Sequence, residues 1–154
     1  MHAIMLSASK LEEGNKVLEI GAGSGILLAY AKEVVGAKGK VFGIEINKEA
    51  FNFAKQNLKI SGYDKKVKLI LGDGSLGLPS YSPYDNIISS ASCEEIPKAW
   101  LEQLREGGTL ITPIGHSSKR QELLYVEKNQ GKLIKKEIGG VVFVNLKGKH
   151  GWKS

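Results

Sequence analysis

Apolar residues in this chain fall into short runs set between longer stretches of helical spacing. Residues 16–20 (KVLEI) are apolar at adjacent positions, as a strand covered on both faces must be. Residues 40–44, 67–71, 84–89 and 109–113 read as further strands of the same sheet. Between them, 26–35 reads as a helix closed by Gly36 and Gly39. Residues 48–61 read as another, with Ala50, Phe51, Ala54 and Leu58 on one buried face and Gly62 as its stop. A further helix spans 97–104, where Pro97 is tolerated in the first turn. Residues 2–11 read as the end of a leading helix, and Gly107-Gly108 turns the chain into the fifth strand. Residues 122–128 and 135–144 form two more strands, joined by the hairpin turn Asn129-Gln130-Gly131. Strands alternating with helices predict βαβ units and a mostly parallel central sheet flanked by helices. The closing hairpin predicts an antiparallel pair at the C-terminal end. The expected class is therefore α/β, with one domain over 1–154.

The chemistry concentrates where strands end. The first strand runs through Glu19 and Ile20 into Gly21-Ala22-Gly23-Ser24-Gly25 and then into a helix. Glycine permits the tight turn and lets a ligand approach the backbone. Glu45 closes the second strand, 20 residues after Gly25 and beside Ile46, where a carboxylate can accept both hydroxyls of a ribose. Gly72-Asp73-Gly74 closes the third strand, where an aspartate can take an adenine amino group and Gly74 leaves room for the ring. Glu19 lies inside the first strand, and a buried acid is costly unless paired; loop amides or a ligand amino group would pair it. Ligands of open α/β sheets bind at such strand ends. A dinucleotide would want G-x-G-x-x-G. The E-I-G-A-G-S-G segment instead favours S-adenosyl-L-methionine (AdoMet), with the class I AdoMet-dependent methyltransferase (Rossmann-like) fold.

Composition narrows the field further. One cysteine, Cys93, allows no disulfide within the chain and fits a reducing cytoplasm. It reads as a small buried thiol rather than a nucleophile. The three histidines, His2, His116 and His150, have no ligand spacing, so no metal is expected. No apolar run approaches the roughly 20 residues that span a bilayer, so no membrane partner is expected. The net charge of +6 comes from scattered lysines and reads as a solvated basic surface rather than a specific nucleic-acid footprint.

Longer motifs carry a resemblance. VLEIGAGSG, GKVFGIEI, GDGSLGLP at 72–79, PYDNII at 83–88, Glu95-Ile96-Pro97, LEQLREGG at 101–108 and FVNLKGKHGW at 143–152 closely resemble protein-L-isoaspartate O-methyltransferases. The GDGxxGxP loop followed by PYD discriminates far better than the glycine loop alone. The similarity runs from His2 to Trp152. It implies a cytoplasmic repair enzyme that moves the AdoMet methyl to the α-carboxylate of L-isoaspartyl residues in aged peptides and proteins, leaving S-adenosyl-L-homocysteine. The implied cofactor contacts are His2, Ser24, Glu45, Asp73 and Gly74. The FVNLK segment corresponds to a wall of the cleft and carries Val144, Leu146 and Lys147 as substrate-side residues.

The chain departs from the family in three places. The pattern T-[IV]-S-x-P-x-M-[HV]-A is met only from its M, so the serine credited with gripping the substrate carboxylate has no counterpart. Asn145 stands where proline is frequent, and Ser90-Ala91-Ser92-Cys93 replaces an alanine-rich run. Methyl transfer to a carboxylate needs no general base, because carboxylates titrate near pH 3 to 4. No catalytic residue is nominated. The alternatives are an AdoMet-binding module without transferase activity and an RNA or small-molecule methyltransferase. The second lacks its N-P-P-[YF] signature, because Ser89-Ser90-Ala91-Ser92 follows the fourth strand.

Overall fold

A computed structural model describes residues 1–153. Seven strands form one sheet: β1 (Lys16–Ile20), β2 (Lys40–Glu45), β3 (Lys68–Leu71), β4 (Tyr84–Ser89), β5 (Leu104–Ile114), β6 (Gln121–Asn129) and β7 (Lys132–Val141). Their order is β3-β2-β1-β4-β5-β6-β7. Strands β1 to β5 are mutually parallel, and β6 and β7 run antiparallel as the hairpin turn predicts. The helices are α1 (His2–Ala8), α2 (Ile26–Val35), α3 (Lys48–Ile60) and α4 (Lys98–Gln103). Because β1 pairs with both β2 and β4, the chain reverses its direction of travel across the sheet there, which opens a crevice at the strand ends.

Adjacent apolar residues serve opposite faces of the sheet. Val17, Ile88 and Ile111 join one core with Leu27, Leu28 and Ala31 of α2, and Leu18, Ile87 and Leu110 join the other with Trp100 of α4. This is why the strands read as continuous apolar runs. Gly43 lets α2 sit close to β2: a Cβ there would fall 2.6 Å from Cδ1 of Leu28.

Most boundaries agree with the sequence reading to within one residue, and three differ by more. The leading helix stops at Ala8 rather than residue 11. Buried side chains capture the next carbonyl: Ser9 O accepts from Asn86 Nδ2 at 2.9 Å and from Thr109 Oγ1 at 2.6 Å. Gly107-Gly108 does not precede β5 but lies inside it, where the register slips between Tyr84 and Asn86. Strand β7 begins at Lys132 and ends at Val141, not Val144. The Gln121 side chain replaces the ladder at that point, accepting from Phe143 N at 2.7 Å and donating to Phe143 O at 2.9 Å. The chain thereby leaves the sheet.

Gly43→Ala should overpack the α2–β2 contact and cost about 1 to 3 kcal/mol. A thermal melt would read this as a lowered midpoint; an unchanged midpoint would mean that Leu28 yields freely.

Candidate functional site

A cavity of about 540 Å³ opens at the C-terminal ends of β1, β2 and β4, within the size range of small-ligand pockets. The turn after β1 forms its floor, from Gly21 to Ser24. Ile44, Glu45, Ile46 and Asn47 line one side, with Ala50 of α3. Ser90 and Ala91 line the other, and Phe143 to Lys147 form the outer wall. His2, Glu19, Ile20 and Gly74 complete it.

The turn is held by backbone and by one side chain. Gly21 N and Ala22 N both donate to Ile44 O, at 2.9 and 3.3 Å. Gly23, with φ +53°, turns its amide onto Glu45 Oε2 at 3.0 Å. The other Glu45 oxygen accepts from Asn47 N at 2.9 Å. Asn47 in turn caps α3 by accepting from Ala50 N. Glu45 is thus buried and oriented by two amides. A carboxylate has roughly four acceptor positions, so two remain for a ligand.

Glu19 is buried, and its two oxygens differ. Oε1 accepts from the Ser90 hydroxyl at 3.0 Å, while Oε2 is buried with no partner among the described residues. Burial pushes its pKa well above the usual carboxylate range; the Ser90 hydroxyl opposes this, and the nearby Glu45 charge adds to it. Among the described residues no loop amide reaches Glu19; the Gly23 amide goes to Glu45 instead.

The structure gathers most of the residues singled out from sequence. His2, Glu19, Gly21, Ala22, Gly23, Ser24, Glu45, Ile46 and Gly74 line the cavity, with Val144, Leu146 and Lys147 on its outer wall. Gly25 and Asp73 are not part of the lining. Gly25 starts α2 at φ +81° and faces α3, where a Cβ would meet Leu58 at 3.2 Å. Asp73 Oδ1 accepts from Ser75 N and Ser75 Oγ, and Oδ2 from Lys149 N at 2.8 Å. Burial raises its pKa, but the Lys149 and Ser75 bonds outweigh that and hold it below the usual value.

Sequence reasoning missed Ile20, Ile44, Asn47, Ala50, Ser90 and Ala91; Phe143 and Asn145 lie in the FVNLK segment it assigned to the wall without being singled out. Ser90 and Ala91 were within reach, since β4 flanks the switch point and its end must face the crevice. Cys93 is a buried thiol, as expected, and burial raises its pKa to about 11. Among the described residues, no cluster of His, Cys, Asp or Glu is placed to hold a metal, and no helix is long and apolar enough to cross a membrane.

Comparison with known proteins agrees with this architecture. The family model of protein-L-isoaspartate(D-aspartate) O-methyltransferase matches residues 1–151. A protein-L-isoaspartate O-methyltransferase of Pyrococcus horikoshii is 51% identical over 99% of the chain. One of Methanosarcina mazei is 46% identical, again over 99%. The chain spans 69% of the first relative's length and 62% of the second's. A solved protein-L-isoaspartate O-methyltransferase superposes with a TM-score of 0.89 at 34% identity, covering 97% of this chain and 47% of its own. A Plasmodium falciparum chain given the same enzyme name, in complex with S-adenosyl-L-homocysteine, superposes at 0.85 with 28% identity, covering 96% and 73%. The fold is thus that of the class I AdoMet-dependent methyltransferases, and the chain belongs to the protein-L-isoaspartate(D-aspartate) O-methyltransferase family.

Proposed function

We propose that this cavity binds AdoMet and that the chain directs its methyl group to the α-carboxylate of L-isoaspartyl residues in damaged peptides and proteins, as a repair step. The observation that carries the reading is the pairing of two buried carboxylates across one cavity. Glu45 keeps two acceptor positions for ribose hydroxyls, and Glu19 offers a buried oxygen without a partner. An amino-acid nucleoside has the matching groups, two hydroxyls and an ammonium. Family membership and the neighbour holding S-adenosyl-L-homocysteine support the same reading.

AdoMet supplies an electrophilic methyl on a sulfonium. Transfer of that methyl to a substrate carboxylate oxygen would break the C–S bond and leave the sulfur as a thioether. The chain's task is to hold and align. The Gly21-to-Ser24 turn admits a ligand against bare backbone, and Glu19 draws the ammonium to the base of the cavity. Holding two reactants in line can contribute roughly 7 to 11 kcal/mol. The attacking carboxylate is already ionised, so no side chain need remove a proton. Cys93, with its pKa raised to about 11, stays a thiol and takes no part. Lys147 on the outer wall places a positive charge where an anionic substrate would arrive. A single buried cysteine suits the reducing cytoplasm, which is the compartment proposed.

Labelled AdoMet offered with an isoaspartyl peptide, beside the same peptide with normal aspartate, should label the isoaspartyl peptide alone. Cofactor binding without label on either peptide would reduce the chain to a binding module, and label entering RNA would redirect the reading to nucleic acid. Glu45→Ala should weaken AdoMet binding by about 1 to 3 kcal/mol, read by calorimetry; undiminished affinity would remove the ribose assignment.

Glu19 adds a pH signature. Its pKa is raised in the folded protein, so its favourable share of stability is full below the unfolded pKa, near 4.5. That share is lost as pH rises, because the unfolded carboxyl ionises while the folded one resists. Glu19→Gln should remove this decline. Denaturant melts of the ligand-free protein from about pH 5 to 8 should show the wild type losing stability relative to the variant. Parallel profiles would mean that Glu19 titrates normally.

A further inference from the structure

Strand register brings Ser90 to Glu19. Side chains alternate between the two faces of the sheet, and Val17 of β1 packs on the face that carries α2, so Glu19 points to that face as well. Ile88 of β4 takes the same face and stands beside Glu19 in the parallel pairing. Ser90 follows two residues later, just past the end of β4. Its amide donates to Ile20 O at 2.9 Å, so the pairing with β1 persists to this point. The Ser90 hydroxyl therefore arrives on the side of Glu19 and donates to Oε1 at 3.0 Å.

A carboxylate turns easily about its last side-chain bond, so a donor is needed to fix its plane. Glu19 is only 3% exposed, which leaves that task to the protein rather than to water. With Oε1 occupied, Oε2 stays without a partner among the described residues. The other charged or titratable groups lining the cavity are Glu45 from β2, His2 from α1 and Lys147 from the outer wall, a strap over residues 143–147. The Gly21-to-Ser24 turn and α3 bring none to the lining. Burial and the Glu45 charge both work against ionisation of Glu19, and the Ser90 hydroxyl works for it.

We infer that Ser90 is a positioning residue for cofactor binding, whose hydroxyl fixes the Glu19 carboxylate and leaves its second oxygen for the ammonium of the ligand. The inference rests on the reading that this cavity takes AdoMet. It gives Ser90 an effect on the amino-acid end of the ligand and none on the nucleoside end.

Ser90→Ala removes the hydroxyl and keeps the backbone bond to Ile20; Ser90→Thr keeps both. Two probes separate the ends of the ligand. S-adenosyl-L-homocysteine carries the ammonium, and 5′-methylthioadenosine lacks the amino-acid end. Calorimetry from about pH 5 to 8 should show wild-type affinity for S-adenosyl-L-homocysteine falling as pH is lowered and Glu19 takes up a proton. In Ser90→Ala that fall should begin about one pH unit higher, the low end of what losing a hydrogen bond to a charged group implies. Ser90→Thr should restore the wild-type profile. All three proteins keep His2, Glu45 and Lys147, so the difference belongs to Ser90. The nucleoside probe should not distinguish the three proteins at any pH.

Ligand-free melts give a second readout. The raised pKa of Glu19 makes stability fall with rising pH until the folded carboxyl ionises. In Ser90→Ala this fall should extend about one pH unit further. Superimposable S-adenosyl-L-homocysteine profiles for wild type and Ser90→Ala would overturn the inference and leave the cofactor reading intact. Equal weakening of both probes would also overturn it, because Ser90 would then shape the cavity as a whole. If the wild type binds neither probe, the cofactor reading itself falls, and this role for Ser90 falls with it.

Discussion

The Glu45 carboxylate accepts from the Gly23 amide on one oxygen and from the Asn47 amide on the other. These bonds tie the turn after β1 to the end of β2 and to the first turn of α3. The turn itself cannot persist on propensity, because residues 21, 23 and 25 all take positive φ and leave few side chains to pack. Without an anchor it would lose the local order that makes it a floor. Together with the Gly21 and Ala22 amides on Ile44 O, this buried carboxylate fixes the floor of the cavity, and any ligand that uses its remaining lone pairs depends on it.

Glu19 represents the opposite situation. A buried carboxyl with one oxygen unpartnered costs stability, and its neighbours do not relieve it. Ser90 serves one oxygen, and Glu45 adds a second negative charge nearby. A chain selected for stability alone would place an apolar residue there, as it does at Leu18 and Ile20 on the same strand. The cost makes sense when a cation arrives to offset it. The same oxygen that weakens the ligand-free fold then strengthens binding, and this links the energetics of the fold to its proposed chemistry.

The fold was largely legible because its signals are local. Parallel strands buried on both faces leave unbroken apolar runs, and the helices between them keep a 3.6-residue period. The glycine turn and Glu45 were legible for the same reason, lying at the ends of such runs. What was hidden depends on contacts distant in sequence. The leading helix ends early because Asn86 and Thr109 hold the Ser9 carbonyl, across 77 and 100 residues. Strand β7 ends early because Gln121 takes both backbone groups of Phe143. Asp73 was placed at the cavity by its position after β3, but no local pattern could show that Lys149 would reach its free oxygen. Spacing shows where a carboxylate lies; its partners decide which way it faces.

Chemistry that needs alignment rather than proton transfer changes what should be sought in such a site. The transferred carbon needs an approach line, and walls supply that. Here the walls are backbone turns, short side chains such as Ser90 and Ala91, and a strap with almost no regular structure. Their placement is fixed from behind. Gln121, wholly buried, donates to the Ser92 hydroxyl and to Phe143 O, so a residue outside the lining sets where the strap leaves the sheet. A displacement of even 1 Å from the productive geometry can cost about 100-fold in rate. The residues that matter most to such a reaction therefore include those that never touch the ligand, and in this fold Gln121 is one of them, acting through Ser92 and Phe143.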